Sequence, residues 1–141
     1  MKTMTKWLAL ILVTAMLLTC LVSCGSSFAK IKKNFEKAGY TYVTDGDENT
    51  AKTLTAEFEK GDIDCTVHLF KTSGLMGIPV YAIVLEFDSD KELKKAFDES
   101  ASETLKGFMK DLEGSEYVRD NCVLIAVTAT KQSEMKDIFN K

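Results

Sequence analysis

Cys65 and His68, the only histidine of this 141-residue chain, are three positions apart and are of residue types that could support nucleophilic catalysis. A cysteine becomes a nucleophile when a neighbouring base such as histidine accepts its proton. Both residues lie in a stretch with apolar residues at alternate positions, a pattern that predicts a half-buried strand: Ile63, Cys65, Val67, Leu69. Residues three positions apart on a strand point to opposite faces. We therefore expect no thiolate–imidazole pair and interpret His68 as a solvent-facing structural histidine.

Carboxylates near expected strand ends form a second candidate group: Asp62, Asp64, Glu86, Asp88, Asp90. A glycosidase needs two carboxylates that face each other across a sugar, and this spacing does not specify such a pair. The sequence has no glycine-rich phosphate loop, nucleophile elbow or dinucleotide fingerprint. A single histidine also argues against a zinc site. We therefore expect no metal, no cofactor and no enzymatic activity.

The beginning of the chain has the composition of an export signal. Lys2 and Lys6 precede an uncharged apolar run at residues 7–18, and small residues follow. The run Leu21, Val22, Ser23, Cys24 resembles the lipobox of bacterial lipoproteins. The resemblance implies cleavage between Ser23 and Cys24 and a diacylglyceryl thioether, with palmitate-type acyl chains, on the Cys24 sulfur. An ordinary secretory signal and an uncleaved membrane anchor are the alternatives.

The lipobox resemblance divides the chain into three parts. Residues 1–23 are the expected signal peptide, residues 24–27 are the lipidated cysteine with a short tether, and residues 28–141 are a single domain. Removing residues 1–23 takes away two lysines and no acid, so the remaining chain has a formal charge of −5. Nucleic acid needs clustered cations and is not an expected partner. We expect a cell-envelope protein on the extracytoplasmic face of a bacterial membrane, held there by lipid.

The pattern of the remaining residues predicts an α+β fold. Helical spacing marks a first helix from Phe28 to Ala38, and weakly alternating residues 54–58 and the alternation around Cys65 indicate strands. Residues 80–87 are apolar enough for a central strand covered on both faces, and residues 122–129 form a second apolar strand. Successive strands with short connections favour antiparallel pairing. We predict a two-layer, mainly antiparallel sheet of about four to five strands with helices packed on one face.

Helix-capping signals refine this prediction. Ser89 and Glu92 form a capping-box pattern, and an apolar stripe continues from there to Leu112, which predicts one long helix with a break near Gly107. Thr130 is the expected cap of a final short helix.

The last two cysteines, Cys65 and Cys122, could form a disulfide or remain free thiols. An exported chain with one remaining pair invites a disulfide. Buried free cysteine is also common, and both residues lie in apolar strands.

The most distinctive surface feature is the loop between two predicted strands that contains Leu75, Met76 and Ile78. Apolar residues in a loop either mark a contact site or fold back onto the core. We expect a non-enzymatic binding or interaction module with an unknown protein or small-molecule partner, similar in outline to small uncharacterised bacterial lipoproteins. The alternatives are an envelope hydrolase that uses surface carboxylates or Cys65, and an accessory subunit of a membrane complex.

Overall fold

The structure is a computed structural model that describes residues 27–43, 49–100, 102–128 and 130–141. The expected signal peptide and lipobox lie outside these described residues, and so do residues 45–48 of the polar turn that the sequence predicts at residues 45–49. The described part contains five helices and five strands. Their chain order is α1 Ser27–Lys37, β1 Thr41–Val43, α2 Asn49–Lys60, β2 Cys65–Ser73, β3 Pro79–Phe87, α3 Asp90–Glu99, α4 Glu103–Leu112, β4 Val118–Arg119, β5 Cys122–Ala126 and α5 Gln132–Asn140. A short 3-10 turn, Leu75–Gly77, connects β2 to β3. No helix among the described residues has the length and apolar character needed to cross a bilayer.

The five strands form one antiparallel sheet with the order β1-β2-β3-β5-β4. The predicted α+β class and the mainly antiparallel sheet of four to five strands are therefore confirmed. β3 is the central strand, as predicted, and its apolar run is buried at almost every position from Val80 to Phe87.

Helices cover both faces of this sheet, so the prediction of two layers with helices on one face was wrong. Phe70, Val84 and Leu124 point to one face and pack with side chains of α1 and α5. Leu69 and Leu85 point to the other face and pack with side chains of α2, α3 and α4. Adjacent residues on a strand point to opposite faces, so two covered faces need the continuous apolar runs that β3 and β5 carry.

The region before β2 is a helix and not a strand. Residues 54–58, predicted to alternate as a strand, lie within α2, where Leu54 and Phe58 are four positions apart and face the sheet together. The apolar residues of this segment repeat at helical spacing, and the prediction wrongly interpreted them as the alternation of a strand.

The predicted long helix is interrupted earlier than expected. Ser89 caps α3 and accepts a hydrogen bond from the Glu92 backbone N–H, as the capping pattern indicated. The break lies at Ser100–Ser102 and not near Gly107, because Ser102 caps a new helix by accepting from the Leu105 N–H. The last helix also begins later than predicted, and Thr130 is not its cap.

Candidate functional site

The β2–β3 hairpin extends beyond the strands on both sides of it. The pairing of β1 with β2 ends at Lys71, and the pairing of β5 with β3 ends at Ala82. Hairpin pairing continues past these positions to Ser73 opposite Pro79. Among the described residues, the end of the hairpin therefore extends past the last paired residue of the strand on either side.

The turn at this end has a defined backbone. The Gly74 N–H donates to the Ile78 carbonyl oxygen at 2.7 Å, and the Gly77 N–H donates to the Gly74 carbonyl oxygen at 3.3 Å. A side chain at Gly74 would collide with Val80 at 2.6 Å and with the Ile78 carbonyl oxygen at 2.9 Å. Gly77 has a φ of 75°, a conformation that glycine adopts without strain. The turn is therefore ordered by hydrogen bonds and by close backbone packing.

Three apolar side chains project from this ordered turn, and we call them the hairpin tip. Leu75 is 83% exposed, Met76 is 97% exposed and Ile78 is 64% exposed. The alternative that these residues fold back onto the core is thus not what the structure shows. Met76 also has φ 61° and ψ 21°, the left-handed region that costs a side chain other than glycine roughly 1–2 kcal/mol.

A cleft lies on the α2 side of the sheet near the same end. Its volume is about 360 Å³, within the range of small-molecule sites, and its lining residues are Thr50, Leu69, Tyr81, Ile83 and Val127. Leu69 and Ile83 are buried on the α2 side of the sheet, whereas Val127 is largely exposed. This cleft was not predictable from the sequence pattern, because its lining comes from four separate segments of the chain.

His68 lies at the centre of a buried hydrogen-bonded group that we call the histidine cluster, formed by Tyr42, His68 and Glu86. The Tyr42 hydroxyl lies 2.8 Å from Nδ1 of His68, and Oε2 of Glu86 lies 2.8 Å from Nε2. Because a carboxylate only accepts hydrogen bonds, Nε2 carries a proton, and Nδ1 of a neutral ring accepts from the Tyr42 hydroxyl. His68 is only 8% exposed, so its prediction as a solvent-facing residue was wrong.

Helix α1 covers the histidine cluster. The Phe28 ring is stacked on the imidazole with 3.6 Å between the ring centroids and an angle of 14° between the planes. The Lys32 Nζ lies 4.4 Å from the centroid of the Tyr42 ring. Burial lowers the pKa of His68, while the hydrogen bond and charge of Glu86 oppose this change. Burial and the Glu86 charge raise the pKa of Tyr42.

Cys65 and Cys122 are free thiols, and the predicted possibility of a disulfide is not realised. Cys65 pairs with Phe87 and packs on the α2 side, whereas Cys122 pairs with Glu86 and packs on the α1 side. Two cysteines on opposite faces of a sheet cannot be joined without moving a strand. Cys65 and His68 also lie on opposite faces, as their spacing predicted.

Neither thiol should react with alkylating agents in the folded protein. Burial raises the pKa of Cys65 and of Cys122 to about 12, so the thiolate is scarce near neutral pH. We expect iodoacetamide at about pH 8, below the usual cysteine pKa, to leave both residues unmodified in the native chain and to alkylate both in guanidinium chloride. Peptide mass spectrometry measures this, and rapid alkylation of native Cys65 would contradict it.

Four of the candidate carboxylates, Asp62, Asp64, Asp88 and Asp90, are exposed. Asp64 and Asp88 lie opposite each other, because the Asp88 N–H donates to the Asp64 carbonyl oxygen at 3.3 Å, and Glu86 bonds His68 in the histidine cluster. Within the part of the chain that the structure describes, no three His, Cys, Asp or Glu side chains are grouped as a metal site.

The first described residue and the hairpin tip lie at opposite ends of the sheet. The Ser27 hydroxyl donates to Asp120, next to Asn121, whose backbone and side chain bond the backbone of Phe87. The hairpin tip precedes Pro79, at the other end of β3, which spans about 26 Å at 3.3 Å per residue. Comparison of the chain with protein-family models, with curated proteins and with solved structures gave no match.

Proposed function

We propose that this protein is a lipid-anchored, extracytoplasmic and non-enzymatic interaction module that binds a partner protein through the hairpin tip. The observation that carries the proposal is Met76. Its side chain is almost fully exposed and its backbone is in a left-handed conformation. The Met76 backbone is therefore strained, and its exposed side chain makes no packing contacts among the described residues that would offset this strain. Strain that the rest of the fold does not use is typical of binding and catalytic positions.

The composition of the hairpin tip suits a protein contact. Leu75, Met76 and Ile78 offer apolar area without a charge, and the hydrogen-bonded turn holds their backbone in place before binding. A preorganised contact loses less entropy when the complex forms. Methionine also adapts its shape to the surface that it meets. The partner that fits is a protein with an apolar pocket.

The position of the anchor supports a partner away from the anchoring membrane. If Cys24 carries lipid, the three residues to Ser27 span at most about 11 Å, so the Ser27 end of the domain stays near the bilayer. The hairpin tip lies at the other end of the sheet, about 26 Å along β3. The hairpin tip then faces away from the bilayer, and a surface on a neighbouring envelope protein is within its reach.

The accessory-subunit alternative uses the same contact site. It differs in one respect, since an accessory subunit is purified from membranes in a fixed ratio with its complex. The hydrolase alternative has less support, because Cys65 is held protonated and the four candidate aspartates are all exposed to solvent.

Met76→Asn tests whether Met76 lowers the stability of the free protein and at the same time contributes to partner binding. Asparagine tolerates the left-handed region better than methionine does, so we expect the free energy of unfolding to rise by about 0.5–1 kcal/mol. Partner binding should fall, because the most exposed apolar side chain is lost. Urea denaturation measures the first effect. Unchanged or lower stability would remove the strain argument.

Photo-cross-linking in cells measures the second effect. A photoreactive amino acid at Leu75 should give a protein adduct of one discrete mass, and Met76→Asn should greatly reduce its yield. The matched control is the same probe at Phe108, which is 41% exposed and lies on α4, outside the β2–β3 hairpin. Equal adducts from both positions, or adducts with lipid alone, would contradict the proposal.

A further inference from the structure

We propose that the histidine cluster is a proton-sensitive clasp for the first turn of α1, and that protonation of His68 lifts Phe28 from the sheet while the rest of the helix stays docked. This device is separate from the proposed contact at the hairpin tip. It rests on one buried imidazole, bonded at both ring nitrogens and covered by one aromatic ring.

Protonation changes the hydrogen bonds of the histidine cluster at a defined atom. The proton binds Nδ1 of His68, which accepts from the Tyr42 hydroxyl in the neutral state. Nδ1 then becomes a donor, so the hydroxyl must turn and accept. The bond from Nε2 to Glu86 is kept and gains an opposite charge. The stacked Phe28 ring nevertheless limits the hydration of the cation, since His68 is only 8% exposed.

The charged and titratable groups around the imidazole come from four elements. Glu86 on β3 stabilises the cation, and Lys32 on α1 disfavours it. Tyr42 on β1 is uncharged near neutral pH, and so is Cys122 on β5, beside Glu86 in the register. Burial is the largest influence and outweighs the Glu86 charge, which is why the pKa of His68 lies below its ordinary value.

The lowered pKa of His68 determines how pH changes the balance between the closed and open states of the first turn. Above about pH 6.5, the ordinary pKa of histidine, the neutral imidazole contributes its full stability to the closed state. As the pH falls from there towards the lowered pKa of the folded state, the open state binds a proton that the closed state does not. Acid therefore favours opening, by at most about tenfold per pH unit for one proton.

Phe28 is the residue of α1 that can move away from the sheet. It is half-buried in the first turn of α1, whereas Ile31 and Phe35 are completely buried in the core. Lifting Phe28 hydrates the imidazolium and leaves those two anchors in place. The opened turn adds residues to the segment between Cys24 and the domain, since extended chain rises about 3.3 Å per residue and helix only 1.5 Å.

The test uses the chain as isolated, in detergent, and reads two signals between about pH 7.5 and pH 5, a window around the ordinary histidine pKa. His68 is the only histidine, so its imidazole NMR signals report its titration without ambiguity. Hydrogen exchange at the amides of Ile31, Lys32 and Asn34 reports opening, because these donate to carbonyls of the first turn. The amide of Lys37 is the internal control.

We expect protection at the reporting amides to fall roughly tenfold on acidification, after correction for intrinsic exchange, and protection at Lys37 to stay constant. His68→Gln should abolish the pH dependence. Lys32→Gln, a surface change that should not impair folding, should move the titration of His68 to higher pH. Titration of His68 without loss of protection, or the same loss in His68→Gln, would overturn the clasp. A His68 pKa at or above about 6.5 would do the same.

Discussion

Replacing Cys24 by alanine should abolish lipid labelling of the protein and remove nearly all of its mature form from the membrane fraction. In a bacterial lipoprotein the cysteine sulfur is the atom that is alkylated, so under the proposed assignment no other side chain at this position can take its place. Each buried methylene contributes about 0.8 kcal/mol, and two acyl chains anchor stably where one binds marginally. A formal charge of −5 after removal of residues 1–23 gives no electrostatic attraction to anionic lipid instead.

The measurement combines three readouts. These are incorporation of a palmitate analogue, sedimentation with membranes, and the mass of the N-terminal peptide. Cys20→Ala is the matched control, because it removes a thiol from the same segment and should leave all three unchanged. A wild-type protein that still begins at Met1, or that carries an unmodified Cys24 thiol at its mature start, would refute the lipoprotein assignment.

The local elements were the predictable part of this fold. α1 follows from apolar residues at helical spacing, β3 from a long apolar run, and the start of α3 from Ser89 and Glu92. In each case the deciding interactions lie within a few residues of one another. The break between α3 and α4 was misplaced because a serine cap at Ser102 outweighed the weak helix propensity of Gly107.

The layer arrangement was not predictable from the same patterns, because it depends on which helices return to which face. The error had a consequence for the histidine cluster. With one covered face, alternation around Cys65 places His68 in solvent. With two covered faces both sets of side chains are buried, and only the strand register brings Tyr42 and Glu86 to the two ring nitrogens.

The hairpin tip was half predictable. Its residues were identified from composition, but composition alone left open whether they are exposed. The structure decides this through backbone geometry, because the close packing of Gly74 and the left-handed Met76 turn the three side chains outward. A sequence carries little information on such a turn until both strands are paired.

Truncation of one phenylalanine on each face tests the three-layer arrangement. Phe70 is fully buried against Phe35, with ring centroids 4.8 Å apart, on the α1 side. Phe87 is fully buried against Phe58, with centroids 5.5 Å apart, on the α2 side. We expect Phe70→Ala and Phe87→Ala each to lower the free energy of unfolding by about 3–5 kcal/mol, through lost burial and the cavity that remains.

The comparison of the two variants distinguishes a three-layer from a two-layer arrangement. In a two-layer protein one face of the sheet contacts water, and a truncation on that face lowers the free energy of unfolding only slightly. Domains have about 5–15 kcal/mol of stability in total, so either change should remove a large part of it. Phe108→Ala is the control, and its partly exposed side chain should cost less than about 1 kcal/mol. Urea denaturation measures all three. A mild effect at Phe70 or Phe87 would mean that the helices on that face do not pack as the structure shows, and for Phe70 it would also remove the docked α1 that the histidine clasp requires.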